Sequence, residues 1–215
     1  MLAAIGVVLL VLVVFPGWPG PGGVRGSGVA ATQTRAAAGF SGLDLAGGST
    51  VTVVAGGEQS VVVHADDNLL GRVTTRVEAG TLVIRSTGSF TTKSPMSVEV
   101  SVPSLQVLRL SGSGAISATG ITAAALTVTL SGSGVIRARG TAAHLDVTLD
   151  GSGRALLNDL VARDVRAVLP GSGLIRVTAT RSLDAAVPGS GSITYRGNPP
   201  HVATSVTGSG AVTRG

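Results

Sequence analysis

The chain has 215 residues, 2% aromatic residues, a formal net charge of +5 at pH 7 and no cysteine. A chain without cysteine forms no disulfides and offers no cysteine for lipid attachment. The arginines are spread along the sequence, and few aromatic residues are present to stack on bases, so this composition argues against nucleic-acid binding.

The N-terminal segment is apolar and uncharged over Leu2–Phe15 and is followed by the Gly/Pro-rich stretch Pro16–Gly28. Its 14 apolar residues are fewer than the roughly 20 that a membrane-spanning helix needs, and are typical of a signal-peptide core. Val29-Ala30-Ala31 offers a small-x-small cleavage site, with an uncleaved anchor as the alternative. We predict that residues 1–31 form a signal peptide or N-terminal anchor plus a spacer. The protein is therefore expected to be exported: extracellular, in the cell wall or anchored on the outer side of the membrane.

Short strands are predicted between residues 40 and 102, because apolar residues alternate there and Gly, Asp and Asn separate the segments. The predicted strands are Leu43–Leu45, Thr50–Val54, Ser60–Ala65, Arg72–Glu78, Leu82–Arg85 and Ser97–Val102. No change of composition separates this region from the rest. We therefore predict a single domain over residues 37–215, with irregular early coils that cap a regular stack.

The second half contains a repeat, because Gly-Ser-Gly recurs at spacings of 20, 19, 20, 18 and 19 residues. A period of this kind indicates one structural unit stacked on copies of itself. Glycine suits a tight corner because it adopts positive φ without a Cβ clash. The predicted corner glycines are Gly112, Gly114, Gly132, Gly134, Gly151, Gly153, Gly171, Gly173, Gly189, Gly191, Gly208 and Gly210.

Apolar residues alternate with polar ones on both sides of each corner, which is the strand period. Each repeat therefore predicts a strand, a corner, a second strand and a shorter third segment such as Ile121–Ala125. The fold class is all-β: a single-domain, right-handed parallel β-helix with coils of about 19–20 residues. The serines are expected to stack and exchange hydroxyl hydrogen bonds. Ser111 and Ser131, which precede the first two corners, become Asp150, Pro170, Pro188 and Thr207 later; we expect these changes to alter polarity but not corner geometry.

Several motifs occur in a recognisable order. They are Gly39-Phe40-Ser41-Gly42-Leu43-Asp44-Leu45, Val51-Thr52-Val53, Gly57–Val61, Ala65–Leu70, Gly80–Ile84 and the recurrent Leu-Ser-Gly-Ser-Gly. This order, over about residues 37–215, resembles the putative auto-transporter adhesin, head GIN domain family of bacterial exported proteins. The resemblance implies a β-helical extracytoplasmic domain of uncharacterised function. It brings no catalytic or binding residue with it.

Carboxylates in register are the feature that a carbohydrate-cleaving β-helix needs. In the repeats only Asp146 and Asp184 share a register, and Arg166 lies between them. This arrangement favours a charge ladder across neighbouring strands over a catalytic pair. We predict that the protein is not an enzyme and has no catalytic residue.

The histidines do not indicate a metal site. His64, Asp66 and Asp67 favour a turn in which Asp66 or Asn68 bonds its own backbone, with a metal site as the alternative. His144 and His201 fall at different registers and are expected to lie in loops. We predict neither a metal nor a cofactor.

Four arginines are predicted to share one outer face. They fall five or seven residues after the first glycine of a corner and are Arg137, Arg139, Arg176 and Arg196. Guanidinium groups bind phosphate and carboxylate well, so this face is a candidate site for an anionic cell-envelope polymer. The alternative is a solvated surface that prevents aggregation between sheets.

These observations lead to one principal functional hypothesis. We predict an exported, non-enzymatic β-helix that acts as a cell-surface scaffold or adhesion module and binds an envelope polysaccharide or another surface polymer. The alternatives are a carbohydrate-active lyase or glycosidase and a membrane-tethered envelope signalling partner. We expect no nucleic-acid partner, membrane contact only through Leu2–Phe15 if it stays uncleaved, and self-association through the C-terminal coil.

Overall fold

The computed structural model describes residues 23–215, so Leu2–Phe15 lies outside the described residues. The structure is 67% strand and 3% helix. In chain order the strands are β1 (Val24–Arg25), β2 (Ala30–Thr34), β3 (Gly42–Ala46), β4 (Thr50–Ala55), β5 (Ser60–Asp66), β6 (Val73–Glu78), β7 (Thr81–Ser86), β8 (Phe90–Thr91), β9 (Ser97–Val102), β10 (Val107–Gly112), β11 (Ala115–Gly132), β12 (Val135–Gly151), β13 (Arg154–Val168), β14 (Leu174–Val187), β15 (Ser192–Arg196), β16 (His201–Val206) and β17 (Ala211–Arg214). A 3₁₀-helix, Asp67–Arg72, follows β5. Within residues 23–215, no helix has the length and apolarity needed to cross a bilayer.

The parallel β-helix predicted from the repeat is confirmed. Strands β11 to β14 are long because each runs through one coil and bends where the register shifts, as between Ala118 and Ile121. Each coil pairs in parallel with the next, with the same repeat position opposite itself, at the usual spacing of about 4.8 Å. The third segment Ile121–Ala125 is part of β11 and pairs with the equivalent residues of β12.

Two faces of the solenoid are distinguished by their position relative to the corners. The front face consists of the segments that follow each corner: β4, the first residues of β11 to β14, β15 and β17. The back face consists of the segments that precede each corner: β7, β3, β10, the last residues of β11 to β14, and β16.

The core is a set of continuous apolar stacks inside the coils. The stack two residues before each of the first five corners is at most 1% exposed and consists of Leu110, Leu130, Leu149, Leu169 and Val187. A fully buried side chain of this size contributes about 1.5–3 kcal/mol relative to exposure. Because these rows run along the axis, every coil packs on its neighbours and the coils share one core.

The Gly-Ser-Gly corners require glycine for two different reasons. Gly132 has φ +115°, and a Cβ there would lie 2.6 Å from the Gly112 carbonyl oxygen of the preceding coil. For Gly134 the reason is space alone, since a Cβ would lie 2.5 Å from the Gly114 carbonyl oxygen. The coils approach most closely here, and no side chain fits between them.

The expectation that all corners share one geometry is wrong. Positive φ occurs at Gly112, Gly132 and Gly151 but not at the first glycine of the three later corners. Proline has no N–H to continue a ladder, and β13 and β14 accordingly end at or before the residue preceding Pro170 and Pro188. The predicted serine stack is also largely wrong: among residues 23–215, only Ser152 and Ser172 bring corner hydroxyls within hydrogen-bond distance, at 3.4 Å.

At the N-terminal end the order in space differs from the order in the chain. Strands β3 and β4 form a coil that pairs with β10 and β11 on one side. On its other side this coil pairs in parallel with β7 and β9, which come later in the chain. Strands β5 and β6 then run antiparallel to β9 and β7, and β2 runs antiparallel to β5. The outermost coil at this end therefore runs in the reverse direction.

The C-terminal end has no such covering coil. Strand β16 pairs with β14 on one side, and β17 pairs with β15. Val202 and Val206 occupy the registers of the buried Leu183 and Val187, yet they are 45% and 43% exposed. Among residues 23–215, nothing packs on the far side of this last coil.

Candidate functional site

The structure places the four predicted arginines on the front face. Arg137 of β12, Leu156 of β13 and Arg176 of β14 are direct partners across three neighbouring strands. Arg137 and Arg176 are therefore two strand spacings apart, or about 9–10 Å. Arg196 lies at the end of β15, opposite Thr178 and two residues further along the strand than this row.

Arg139 differs from the other three because a carboxylate holds it. Its Nε atom lies 3.3 Å from Oδ2 of Asp159. The same aspartate accepts a hydrogen bond of 2.8 Å from the side-chain amide of Asn158, beside a register shift between β12 and β13. Asp159 is therefore partly neutralised, and Arg139 is fixed in position beside the row that contains Arg137.

The remaining arginines of this face are uncompensated. Within residues 23–215, no carboxylate oxygen lies within 4 Å of the guanidinium groups of Arg137, Arg176 or Arg196. All three residues are exposed. The structure adds a fifth arginine, Arg154, which lies on the same face opposite Val135. Its position three residues after a corner glycine could have revealed it in the sequence.

The back face of the solenoid has no excess of positive charge. From β3 and β7 to β14 its outward-pointing charged residues are Arg85, Arg109, Arg166, Asp44, Asp146, Asp150 and Asp184. Three arginines thus face four aspartates, whereas β12 to β15 of the front face carry five arginines and one aspartate. The positive potential of the solenoid is therefore concentrated on its front face.

A depression lies on the front face at Arg137 and Arg139. It has a volume of about 370 Å³ and is lined by Ser117, Thr119, Arg137, Arg139, Leu156 and Asn158, among others. This size falls within the range of small-ligand sites. The lining combines two guanidinium groups, hydroxyl groups, the half-buried Leu156 and the carboxylate of Asp159, which pairs with Arg139. Among the described residues, Arg137 is therefore the uncompensated cation of the depression, beside an apolar side chain.

The predicted charge ladder has the expected register. Asp146, Arg166 and Asp184 are direct partners on β12, β13 and β14. Their charged atoms stay more than 4 Å apart, so among residues 23–215 they form no close ion pair. They lie on the outside of a packed sheet, with the arginine between the two carboxylates.

A second polar cluster surrounds Asp164. Arg181 donates to its carboxylate from two nitrogens, Nε at 2.6 Å, and the Ser182 hydroxyl donates at 2.6 Å. These hydrogen bonds lower the pKa of Asp164 to about 2. Nδ1 of His144 lies 3.3 Å from Oδ2 of Asp164. The prediction that His144 lies in a loop is wrong, because it belongs to β12. Because the carboxylate lies between imidazole and hydroxyl, Ser182 has no base beside it and the group is not a catalytic triad.

Asp66 connects three segments of the chain by hydrogen bonds. It is fully buried, and its carboxylate accepts hydrogen bonds from the backbone N–H groups of Gly28, Lys93 and Ser94 and from the Ser94 hydroxyl. These bonds, above all the one from Lys93, lower its pKa against the opposing effect of burial. The expected turn in which Asp66 bonds its own backbone is therefore wrong, because its partners lie in distant segments.

The neighbours of Asp66 extend this attachment. The side-chain amide of Asn68 donates to the Arg25 carbonyl, and the Ser27 hydroxyl donates to Asp67. His64 lies 3.1 Å from the Thr32 hydroxyl and 3.5 Å from Glu99. Residues 23–34, which the sequence places partly in the spacer, are thus bound to the solenoid through β1, β2 and these side chains.

The fold defines the class of this protein: a parallel β-solenoid. The family model described as "Putative auto-transporter adhesin, head GIN domain" matches residues 39–199. The chain belongs to this family. No curated protein matches it.

Solved structures share the fold. A putative adhesin from Bacteroides fragilis has a TM-score of 0.73 and 22% identity, covering 89% of this chain and 100% of that chain. A putative lipid binding protein from Parabacteroides distasonis has a TM-score of 0.56 and 22% identity, covering 89% and 99%. A putative adhesin from Parabacteroides merdae has a TM-score of 0.52 and 18% identity, covering 89% and 98%. At these identities the likeness establishes the fold.

Proposed function

We propose that this protein is an exported, non-enzymatic adhesion module that binds an anionic polymer of the cell envelope through its front face. Membership of the adhesin-head family supports a role at the surface. The observation that carries the proposal is the charge difference between the two faces of the same coils. A solvated surface needs no such difference, because mixed charges protect the back face equally well.

The geometry of the front face is suited to a long partner. Its arginines recur along the solenoid axis from β12 to β15 and converge on no single point. A small ligand would contact one or two of them, whereas a polymer along the axis contacts all of them. Several weak charge-assisted contacts then act on one chain, so the overall affinity exceeds that of each contact.

The arrangement of carboxylates supports a role without catalysis. Glycoside cleavage uses two carboxyl groups that flank one bond. Asp146 and Asp184 are separated by the strand that carries Arg166, and Asp164 is held by Arg181 and Ser182. The carboxylate that lines the depression at Arg137 is that of Asp159, which pairs with Arg139 and, among residues 23–215, has no second carboxylate beside it in the lining.

The test removes four arginines at a time, from the front face or from the other faces, and leaves Arg154 in place. The front-face variant replaces Arg137, Arg139, Arg176 and Arg196 with Ser. The control replaces Arg85, Arg109, Arg163 and Arg166 with Ser; these lie on the back and connecting faces and are exposed. Both variants lose the same charge, so only the position of the charge differs.

Retention is measured on cell-wall preparations and on soluble acidic polymers over a range of salt concentrations. We expect the front-face variant to lose most binding and most of its salt dependence, because both come from these guanidinium groups. The control should bind as the unchanged protein does. Equal retention of the two variants would refute the proposal.

A further inference from the structure

We propose that the ligand of the front face is a linear acidic polysaccharide that lies along the solenoid axis and carries a carboxylate on every second sugar. This inference rests on the anion binding proposed above and specifies its ligand. It follows from the spacing of the arginines, the nature of the residues between them and the direction of the row.

The spacing of the charges sets the repeat of the ligand. Arg137 and Arg176 are uncompensated, in the same row and separated by one intervening strand. Two strand spacings, about 9–10 Å, are close to the length of two linked sugar rings in an extended chain. One carboxylate per disaccharide therefore brings consecutive acidic groups to consecutive arginines without bending either partner.

The residue between the two arginines favours a sugar over a bare anion. Leu156 is half-buried, lies between Arg137 and Arg176 in the row, and lines the depression together with Arg137. An apolar side chain has no favourable contact with a phosphate. It packs well against the C–H face of a sugar ring, which must lie there if the neighbouring carboxylates contact Arg137 and Arg176.

The same row continues with hydroxyl groups on both sides. Ser117 precedes Arg137 on β11, and Thr194 and Thr213 follow Arg176 on β15 and β17. The hydroxyls of Thr194 and Thr213 lie 3.4 Å apart. Hydroxyl groups both donate and accept, so they can pair with uncharged sugars beyond the two charged positions.

Phosphate polymers fit this row less well. The phosphates of polyphosphate recur at every P–O–P link, which is much closer than two strand spacings. Only a fraction of them would meet an arginine, and the others would lie against Leu156 and the hydroxyl row. The proposal therefore commits to a carboxylated polysaccharide, and polyphosphate becomes a competing outcome of the test.

The decisive variant moves one charge by one strand. It combines Arg176→Ser with Leu156→Arg, which keeps the net charge and places the two arginines on adjacent strands, about 4.8 Å apart. The matched control combines Arg109→Ser with Thr129→Arg. These residues are direct partners on the back face, so the same one-strand shift is made away from the site.

Binding is measured for hyaluronan, which has a carboxylate on every second sugar, for polygalacturonate, which has one on every sugar, and for polyphosphate. Dextran serves as the neutral polymer. Thermal melting of each variant shows that it remains folded. We expect the unchanged protein to bind hyaluronan, the shifted variant to bind it about tenfold more weakly, and polygalacturonate binding to change much less. The back-face control should leave all affinities unchanged.

The outcomes separate this inference from the proposed function. Equal affinity of the shifted variant for hyaluronan overturns the spacing argument, while loss of binding in the four-arginine variant still supports anion binding. Preferential binding of polyphosphate overturns the ligand class in the same way. Absence of binding to every polymer by the unchanged protein overturns both proposals.

Discussion

The two ends of the solenoid differ in how the unpaired backbone of the outermost strands is covered. Every parallel stack ends in a strand with unpaired backbone groups, which can recruit further strands. At the N-terminal end, β5 and β6 turn back and run antiparallel to the coil beneath them, and β2 covers part of β5. At the C-terminal end, β16 and β17 leave apolar core positions exposed within residues 23–215. Within residues 23–215, the N-terminal end is therefore capped by antiparallel strands, whereas the last C-terminal coil is left uncovered.

The cap depends on residues that precede the predicted domain boundary. Gly28 donates to the buried Asp66, the Arg25 carbonyl accepts from Asn68, and β2 pairs with β5 along its length. A cleavage after Ala31 would remove β1, the contacts of Gly28 and Arg25, and the first two residues of β2. The two ends should therefore differ in how much stability their outermost segments contribute.

The largest effect is expected from removal of residues 23–31. Chains that begin at Gly23 and at Thr32 are compared by thermal melting, and we expect the shorter one to melt about 10 °C lower or more, because it loses strand pairing and the donor to Asp66. Asp66→Ala in the longer chain should produce a smaller decrease, with exposed Glu58→Ala as the control. Equal melting temperatures for the two chains would show that the cap does not need this segment.

The same contacts predict how the native protein is processed. N-terminal sequencing of protein from its own cells should find a start upstream of Val24. A start at Thr32 in a protein of full stability would contradict this expectation.

The next largest effect lies between the two ends, at the corners. Gly132→Val should destabilise by about 3 kcal/mol or more, because valine must adopt positive φ and its Cβ meets the Gly112 carbonyl. Ser133→Ala removes an exposed hydroxyl and should change stability by less than about 0.5 kcal/mol. Chemical denaturation measures both. If Gly189→Val, at a corner without positive φ, is equally damaging, crowding rather than φ sets the cost.

A smaller effect on stability is expected from Asp164, in the C-terminal half, and it should depend on pH. The pKa of Asp164 is about 2 in the folded state and 3.8 in the unfolded reference. The folded state therefore binds the proton less readily, and the stabilisation by Asp164 is complete above pH 4 and disappears as the pH falls towards 2. Melting curves of the unchanged protein and of Asp164→Asn should converge over this range. Parallel curves down to pH 2 would exclude Asp164 as the cause.

The smallest effect concerns the C-terminal coil, where pairing with a second copy stays a prediction. Sedimentation at increasing concentration should show weak association, because the edges of β16 and β17 are unpaired on one side. Val202→Ser with Val206→Ser should reduce it by removing exposed apolar surface. A monomer at every concentration, with protected amides in β16, would rule out pairing through this end.

The regular part of the fold was predictable from the sequence because each structural position recurs at a fixed distance from Gly-Ser-Gly. The same counting placed Arg137, Arg139, Arg176 and Arg196 on one face. It failed where the contacts are not periodic. The partners of Asp66 leave no local pattern, since these contacts join residues 27 to 38 positions apart. The reversed direction of β5 also depends on distant pairing, with β9, whereas β6 and β7 form a local hairpin. The hydrogen bond of Asp164 with Arg181 was missed because Arg181 lies in the connecting segment, outside the aligned rows.

The inserted position of the first coil has a consequence for how the chain folds. Strands β3 and β4 leave the ribosome before all of their neighbours in the stack, which are β7 and β9 on one side and β10 and β11 on the other. The earliest coil therefore cannot complete its pairing until residues beyond 110 have emerged. Assembly cannot proceed as a zipper from the first residue onward. The coil of β3 and β4 is completed only when strands that come later in the chain pair with it on both sides.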